Sequence, residues 1–215
     1  MKQAADLAAA TAFDPAAAKA GLARTGCVML PAFTLFSNGQ LTEMEQLCRA
    51  LPEEVITLGD AGEPNNLYVG RFMVDRAGDL PALVNRPHSD CLLALLDNPA
   101  ASSFFEEALG APHVIRRCQV NRMVDGSFIG RHLDVDSNPD YVVSVVVQLG
   151  RSFEGGEFVV YPHESAQPVW FKPGYGTVII ARCDKPHEVK KVTSEERSSL
   201  VYFYSPHRLK NRRAV

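Results

Sequence analysis

The chain has 215 residues and a mass of 23.5 kDa, a length that suits one globular domain with its own apolar core. Hydrophobic residues make up 46% and charged residues 22%, which excludes disorder, collagen and coiled coil as its main character. The net charge of −3 gives no electrostatic argument for binding nucleic acid or a membrane surface. No apolar stretch reaches the roughly 18 residues of a membrane span.

The five cysteines lack the CxxC spacing of a zinc knuckle, and their odd number argues against a secreted disulfide framework. The N-terminal segment is rich in alanine but is interrupted by Asp6 and Asp14, so it lacks the apolar region of a signal peptide. We therefore expect free thiols and a cytoplasmic protein. The cysteines are Cys27, Cys48, Cys91, Cys118 and Cys183.

The first half of the chain favours helices. Apolar residues at helical spacing follow the turn cluster at 37–39, and Pro99 is placed to open a helix that Gly110 ends. Residues 1–112 are therefore predicted to be mainly helical. In chain order the predicted elements are a helix or frayed arm at 1–20, a strand at Cys27–Leu30, a helix at 41–51, a loop at 60–66, a helix capped by Ser89 and Asp90 that runs through 91–96, and a helix from Pro99 to Gly110.

After residue 112 the pattern changes to short runs rich in β-branched and aromatic residues, which predict strands. Gly155-Gly156 suits a tight hairpin turn, and Pro173-Gly174 suits a type II turn with the glycine in the left-handed conformation. The predicted strands are 114–124, 128–133, 141–148, 157–161, 169–171, 177–181, 187–192 and 199–204.

Helices followed by eight evenly spaced strands predict a single α+β domain covering residues 1–215. Residues 1–112 would supply mainly helical support, and 113–206 would form a jelly-roll core of sandwich or barrel type. The N-terminal helices would pack on one of its sheets.

His132 and Asp134 are separated by one residue on a predicted strand, so their side chains point to the same face. His187 opens a later predicted strand. Two histidines and one carboxylate from different strands form the ligand set of non-haem Fe(II) sites that leave coordination positions open. A lone His-x-Asp arises often by chance, and it is the downstream residues that give it weight.

Arg197 follows His187 by ten residues, and Ser199 shares its strand face. A guanidinium fork beside a hydroxyl is a natural receptor for a carboxylate. A dicarboxylic keto acid could chelate iron at one end and pair with Arg197 at the other. The alternative for Arg197 is a surface ion pair with Glu195 or Glu196.

The chain at this point resembles the prolyl-4-hydroxylase-like group of the Fe(II)/2-oxoglutarate oxygenases, over about residues 114–205. The resemblance implies a double-stranded β-helix, iron held by His132, Asp134 and His187, 2-oxoglutarate held by Arg197, and O2 as oxidant. The motifs that carry it are, in order, Arg122-Met123-Val124-Asp125-Gly126, His132-x-Asp134, Phe153-Glu154-Gly155-Gly156-Glu157-Phe158, Lys172-Pro173-Gly174, Pro186-His187-Glu188-Val189-Lys190-Lys191-Val192-Thr193 and Arg197-Ser198-Ser199-Leu200.

The chain departs from this family at two positions. Many relatives have Tyr where this chain has Met123, and the methionine cannot supply the hydroxyl that helps to hold 2-oxoglutarate. We expect Asn121, Gln119 or Ser199 to take that part. The usual Gly two residues before the binding Arg is replaced by Glu195, which affects a turn rather than the site.

The segment from Ser137 to Gly150 is similar to a smaller branch that acts on free amino acids and contains hydroxylases and radical halogenases. Halogenases lack the metal carboxylate, so Asp134 favours hydroxylation. The expected substrate is a small molecule, in the simplest case an amino acid. Arg71 is the candidate anchor for a substrate carboxylate. Asp136, predicted on the same strand face as Asp134, is the candidate contact for a substrate amine.

Two alternatives stay open: a protein prolyl or side-chain hydroxylase, and a non-catalytic jelly-roll binding module. Nucleic-acid demethylation is disfavoured by the net charge and by the missing basic stripe. The sequence predicts neither a nucleic acid nor a membrane partner, and it leaves the substrate and the oligomeric state open.

Overall fold

The computed structural model describes residues 14–163 and 167–213. Most of the predicted arm at 1–20 therefore lies outside the described residues, and α1 begins at Pro15. The helices of the described part are α1 (Pro15–Thr25), α2 (Asn38–Arg49), α3 (His88–Leu96) and α4 (Pro99–Leu109), with a 3-10 turn at Asp134–Asp136. Its strands are β1 (Cys27–Leu30), β2 (Glu53–Leu58), β3 (Pro64–Val74), β4 (Ala82–Leu83), β5 (Val114–Met123), β6 (Phe128–His132), β7 (Val143–Gln148), β8 (Phe153–Gly155), β9 (Phe158–Val160), β10 (Val169–Phe171), β11 (Val178–Arg182), β12 (His187–Val189), β13 (Val192–Glu195) and β14 (Arg197–Ser205).

The helix ends follow the capping chemistry of the sequence. Ser37 and Gln40 form a reciprocal capping box at the start of α2. Asn98 accepts a hydrogen bond from the Ala101 amide at the start of α4, and Gly110 ends that helix in the left-handed conformation. The prediction that Ser89 and Asp90 cap α3 is wrong, because the helix already begins at His88.

The four helices of the described part of 1–112 are accompanied by three strands that the sequence does not predict. Strands β2, β3 and β4 occupy much of 53–83, and β2 and β3 form an antiparallel hairpin. The side chains of β2 are almost all exposed, so this strand carries no buried alternation for a sequence pattern to reveal. Its stability comes from pairing along β3.

The strands predicted after residue 112 are present, with two additions, β8 and β13, which pair with each other. Gly155 and Gly156 have the predicted positive φ angles of 71° and 64°. They do not close a hairpin between β8 and β9, because these two strands belong to different sheets. The left-handed residue of the later turn is Gly176, with φ 77°, and not Gly174 as predicted.

The strands form two facing layers. The major sheet has the order β1-β11-β7-β14-β5-β3, and the minor sheet has the order β6-β12-β9-β10. The first residues of β3 also pair with β6 and so connect the layers. This arrangement of antiparallel strands in two continuous layers is a double-stranded β-helix, as predicted.

Strand β14 shows how the layers are filled. Leu200, Tyr202 and Tyr204 point outward into the apolar cluster shared with the helices. Val201 and Phe203 alternate with them and point into the space between the sheets. The helices therefore cover the outer face of the major sheet, as predicted, and the inner face is left to line a cavity between the layers.

The cysteines of the described part are all free, and Cys91 alone among them is exposed. No helix among the described residues is long and apolar enough to cross a membrane.

Candidate active site

The polar centre of the molecule lies where β6 ends. His132 is the last residue of β6, and Asp134 begins the 3-10 turn instead of continuing the strand as predicted. Leu133 between them keeps an extended backbone, with φ −114° and ψ 127°. The two side chains therefore still point the same way, for the reason that the sequence suggested.

His187 begins β12, which pairs with β6 so that His187 lies opposite His132. The His132 Nε2 atom is 3.2 Å from one oxygen of Asp134, and the His187 Nε2 atom is 3.4 Å from the other. The possible ligand atoms of all three residues lie within 4.8 Å of one another. The predicted triad therefore comes together in space.

Backbone carbonyls fix both imidazole rings. His132 Nδ1 lies 2.8 Å from the carbonyl oxygen of Gly130, and His187 Nδ1 lies 2.9 Å from that of Lys185. A carbonyl can only accept, so each Nδ1 carries a proton, and each Nε2 is the ring nitrogen that faces Asp134. This second contact is the one that metal-binding histidines use to hold their orientation.

The charges of the triad are strongly coupled. Burial raises the pKa of Asp134, but the two imidazoles outweigh it and hold the pKa well below its ordinary value. Burial lowers the pKa of His132, and the Asp134 carboxylate raises it. The carboxylate has the larger effect and gives a pKa of about 9. Burial lowers the pKa of His187. A buried carboxylate anion between two nitrogen donors is suited to a divalent cation.

Arg197 begins β14 and lies fully inside the molecule, opposite Met123 of β5. Its Nη1 atom donates to the Ser199 hydroxyl at 3.3 Å and lies 3.5 Å from the Met123 sulfur. Within 14–163 and 167–213, no group accepts from Nε or Nη2. Burial without an acidic partner lowers the pKa of Arg197 to about 10.

A buried guanidinium with two donor atoms that lack an acceptor is unfavourable without a ligand, because unpaired buried charge is costly. A carboxylate ligand would complete it in the paired geometry that Arg favours. Gly156 leaves the space for this side chain, since a Cβ atom there would lie 2.8 Å from Arg197 Cδ.

Polar side chains continue along the inner face of β5. Gln119 donates to the side-chain oxygen of Asn121 at 2.7 Å, so the NH2 group of Asn121 is the donor left for a ligand. Asn121 lies opposite Ser199 in the sheet. The structure therefore places Asn121 and Ser199 beside Arg197, on the side where Met123 replaces the tyrosine of many relatives.

A cavity of about 120 Å³ contains the triad, Arg197 and Asn121. Arg71 lies on its wall, as the proposal of a substrate anchor requires. Asp136 does not line it: the residue is exposed on the 3-10 turn. The prediction that it shares a strand face with Asp134 is wrong, because the strand ends at His132.

Arg117 and Asp60 also line the cavity, and neither is predicted from the sequence. Arg117 alternates with Gln119 and Asn121, and this polar alternation in an otherwise buried strand was a visible signal. Asp60 comes from the loop between β2 and β3, and only the tertiary structure brings it to the site.

The two fixed imidazoles, the Asp134 carboxylate and the unpaired Arg197 together fit a divalent iron and a dicarboxylate co-substrate. A sequence profile described as the 2OG-Fe(II) oxygenase superfamily matches residues 118–205. The chain is 51% identical to a Burkholderia pseudomallei oxidoreductase of the 2OG-Fe(II) oxygenase family, covering 94% of this chain and 95% of that one with a TM-score of 0.88. The protein is therefore a member of the 2OG-Fe(II) oxygenase family, whose enzymes use Fe(II), 2-oxoglutarate and O2.

More distant solved structures share the fold. A Pseudomonas putida prolyl-4-hydroxylase is 19% identical over 90% of this chain and all of that one, with a TM-score of 0.63. The non-heme alpha ketoglutarate dependent epimerase SnoN from nogalamycin biosynthesis is 19% identical over 89% of this chain and 83% of that one, with a TM-score of 0.69. No curated protein matches the chain.

Proposed function

We propose that this oxygenase hydroxylates an unactivated C–H bond of a small molecule, with release of succinate and CO2. His132, Asp134 and His187 hold the iron in this proposal. The observation that carries it is the geometry of the triad, in which both Nε2 atoms and the carboxylate converge while the Nδ1 atoms are tied to carbonyls.

Arg197 binds the distal carboxylate of 2-oxoglutarate through its free Nε and Nη2 donors. Ser199 and Asn121 add a hydroxyl and an amide donor on the same side. Together they replace the tyrosine hydroxyl that Met123 lacks. Arg197 is enclosed by the protein, so its pairing with a carboxylate is not weakened by water.

Bound iron and 2-oxoglutarate supply the oxidising chemistry that neither the backbone nor any side chain of this chain can perform. The protein's part is orientation and exclusion of water. Phe158 stacks on the His187 ring with the ring centres 5.1 Å apart, and Val146 and Val201 line the same cavity. Asp134 fills the third protein ligand position, which favours hydroxylation over halogenation.

The scarcity of aromatic residues on the cavity wall supports a small-molecule substrate. Phe158 is the only phenylalanine, tyrosine or tryptophan on its wall in the part of the chain that the structure describes. A peptide substrate would favour a long, open groove lined by aromatic residues. The alternative of a protein prolyl hydroxylase rests on the fold that this chain shares with the Pseudomonas enzyme.

Anaerobic titration of the protein with Fe(II) and 2-oxoglutarate tests the assignment. We expect a visible charge-transfer band with one iron per chain in the wild type. His132→Ala and His187→Ala should abolish it, because two remaining ligands cannot hold a labile divalent ion. A triad variant that keeps the band and wild-type turnover would remove these residues from the metal site. Screening free amino acids for a shift of the band then searches for the substrate.

A further inference from the structure

A second cationic cluster lies on the same cavity, apart from Arg197. Arg117 donates through Nε to the Gln119 side-chain oxygen at 2.9 Å, and Arg71 approaches the same oxygen through Nη1 at 3.5 Å. All three residues line the cavity. Two guanidinium groups that converge on one neutral amide oxygen form a site for an anion.

Arg117 is built into the wall and does not extend into solvent. Its side chain is only 11% exposed, and its guanidinium carbon lies 5.5 Å from the centre of the Phe203 ring. Phe203 is its neighbour on β14. A guanidinium this deeply buried needs an acidic partner. The partner of Arg117 is Asp60, whose carboxylate lies 2.6 Å from Nη1.

The two cationic sites are separated along β5. Arg117 lies four residues from Asn121, a distance of about 13 Å along a strand. The sheet register agrees, since Asn121 lies opposite Ser199 and Arg117 lies opposite Phe203. The site that holds the 2-oxoglutarate carboxylate in the proposed function is therefore not the site formed by Arg117 and Arg71.

The carboxylate of Asp60, a loop residue, occupies the position beside Arg117 that an anionic ligand would take. Its side chain is 43% exposed, and it lies in the connection between β2 and β3. The other arginine of the pair, Arg71, binds Glu54, which is also half exposed. Both carboxylates reach solvent, and Asp60 has a second partner in Arg213 at 3.8 Å, so each can give up its arginine to the carboxylate of a ligand.

We propose that Arg117, together with Arg71, binds the carboxylate of the substrate in the position now taken by Asp60. The substrate is thus a small carboxylic acid whose reacting carbon lies between this anchor and the triad. The inference rests on the proposed function and narrows its substrate class. An internal residue of a protein has no free main-chain carboxylate and does not fit.

The test measures binding to the holoenzyme with Fe(II) and saturating 2-oxoglutarate in the absence of O2. The probes are the free amino acids, hexanoic acid and benzoic acid, each paired with its primary amide, in isothermal titration calorimetry. At least one acid should bind about tenfold or more tightly than its amide. If no acid is preferred over its amide, the proposal is overturned.

Variants connect the preference to these residues. Arg117→Ala should remove the preference for the acid, and Arg117→Lys should restore only part of it, because a point charge does not replace the guanidinium fork. Asp60→Asn should strengthen binding of the acid by removing the competing carboxylate. The control is Arg182→Ala, which alters an exposed arginine paired with Asp184. An Arg117→Ala protein that binds the acid as well as the Arg182→Ala protein would refute the anchor.

Failure of the anchor and failure of the proposed function give different results. Absence of the anaerobic charge-transfer band from the wild-type protein would contradict the assignment of iron and 2-oxoglutarate itself. A normal band with equal affinity for acids and amides would leave that assignment intact and contradict the carboxylate anchor alone.

Discussion

The residue that defines this site most sharply is Arg197, which is enclosed by the protein and has two donors without an acceptor in the described part of the chain. Without a ligand, the surroundings of Arg197 leave its buried charge unpaired, and this does not stabilise the fold. Met123, Ser199 and Gly156 lie against it, and it lines the same cavity as the triad. Binding of the co-substrate and satisfaction of this buried charge are therefore one event.

Replacing Arg197 by Ala should raise the Kd for 2-oxoglutarate by about 100-fold or more while iron binding is kept. The lost contacts are two hydrogen bonds to a charged group, each worth about 1.5–3 kcal/mol. Arg197→Lys should recover only part of the affinity. The free energy of unfolding should not fall, because the substitution removes an unpaired buried charge. An unchanged Kd in anaerobic titration would place the carboxylate receptor elsewhere.

Gly156→Ala should weaken 2-oxoglutarate binding by displacing Arg197, since the new Cβ would meet its Cδ at 2.8 Å. The matched control is Gly126→Ala. Gly126 has a similar positive φ of 83°, but a Cβ added there would have no heavy atom within 4 Å among the described residues. Both variants should lose about 1–2 kcal/mol of stability from the left-handed backbone. Equal Kd values for 2-oxoglutarate in the two variants would show that Gly156 does not position Arg197.

At the scale of the element, β14 carries structure on one face and function on the other. Arg197, Ser199 and Val201 line the cavity, whereas Leu200 and Tyr202 pack under the helices. Substitutions on this strand should therefore affect either activity or stability, according to the face on which they lie.

Tyr202→Phe tests the outer face. The Tyr202 side chain is fully buried and its hydroxyl has no partner in the described part of the chain. Removing an unsatisfied buried hydroxyl should raise the free energy of unfolding by about 1–3 kcal/mol without changing the Kd for 2-oxoglutarate. Denaturant unfolding measures it, with Tyr204→Phe on the same face as the control. A destabilised Tyr202→Phe protein would mean that the hydroxyl is satisfied in solution.

Sequence patterns predicted the elements whose side chains are sorted by burial. The strands after residue 112 alternate between two apolar layers, and α4 is bounded by Asn98 and Gly110, so both could be recognised. Strand β2 could not, because nearly all of its side chains face solvent. The triad and Arg197 could be named from spacing and resemblance, but the pairing of Arg117 with Asp60 depends on a loop 57 residues earlier in the chain.

At the scale of the whole molecule, a buried polar network ties the C-terminal segment 207–213 to the barrel. Arg116 and Asp75 form an ion pair at 3.0 Å with both side chains fully buried. Asn211 donates to the backbone oxygens of Asp75 and Ser137 at 3.0 and 3.2 Å. The network joins the end of β3, the start of β5 and the C-terminal segment.

Asp75→Ala should therefore destabilise the protein by about 3–5 kcal/mol, because it leaves Arg116 charged and buried without its main partner. The double variant Asp75→Leu/Arg116→Met should recover much of this loss by removing both charges. Asp184→Ala breaks an exposed pair and should cost no more than about 1 kcal/mol. Denaturant midpoints compare the three proteins, and a loss for Asp75→Ala as small as that for Asp184→Ala would contradict the role of the network.

The assignment of iron and 2-oxoglutarate is tested most sharply by a crystal structure prepared without O2 from protein loaded with both, with data collected at the iron absorption edge. We expect one anomalous peak, from an iron bound by His132 Nε2, His187 Nε2 and an oxygen of Asp134. The distal carboxylate of 2-oxoglutarate should be paired with Arg197. Iron bound at other residues, or a distal carboxylate away from Arg197, would contradict the assignment.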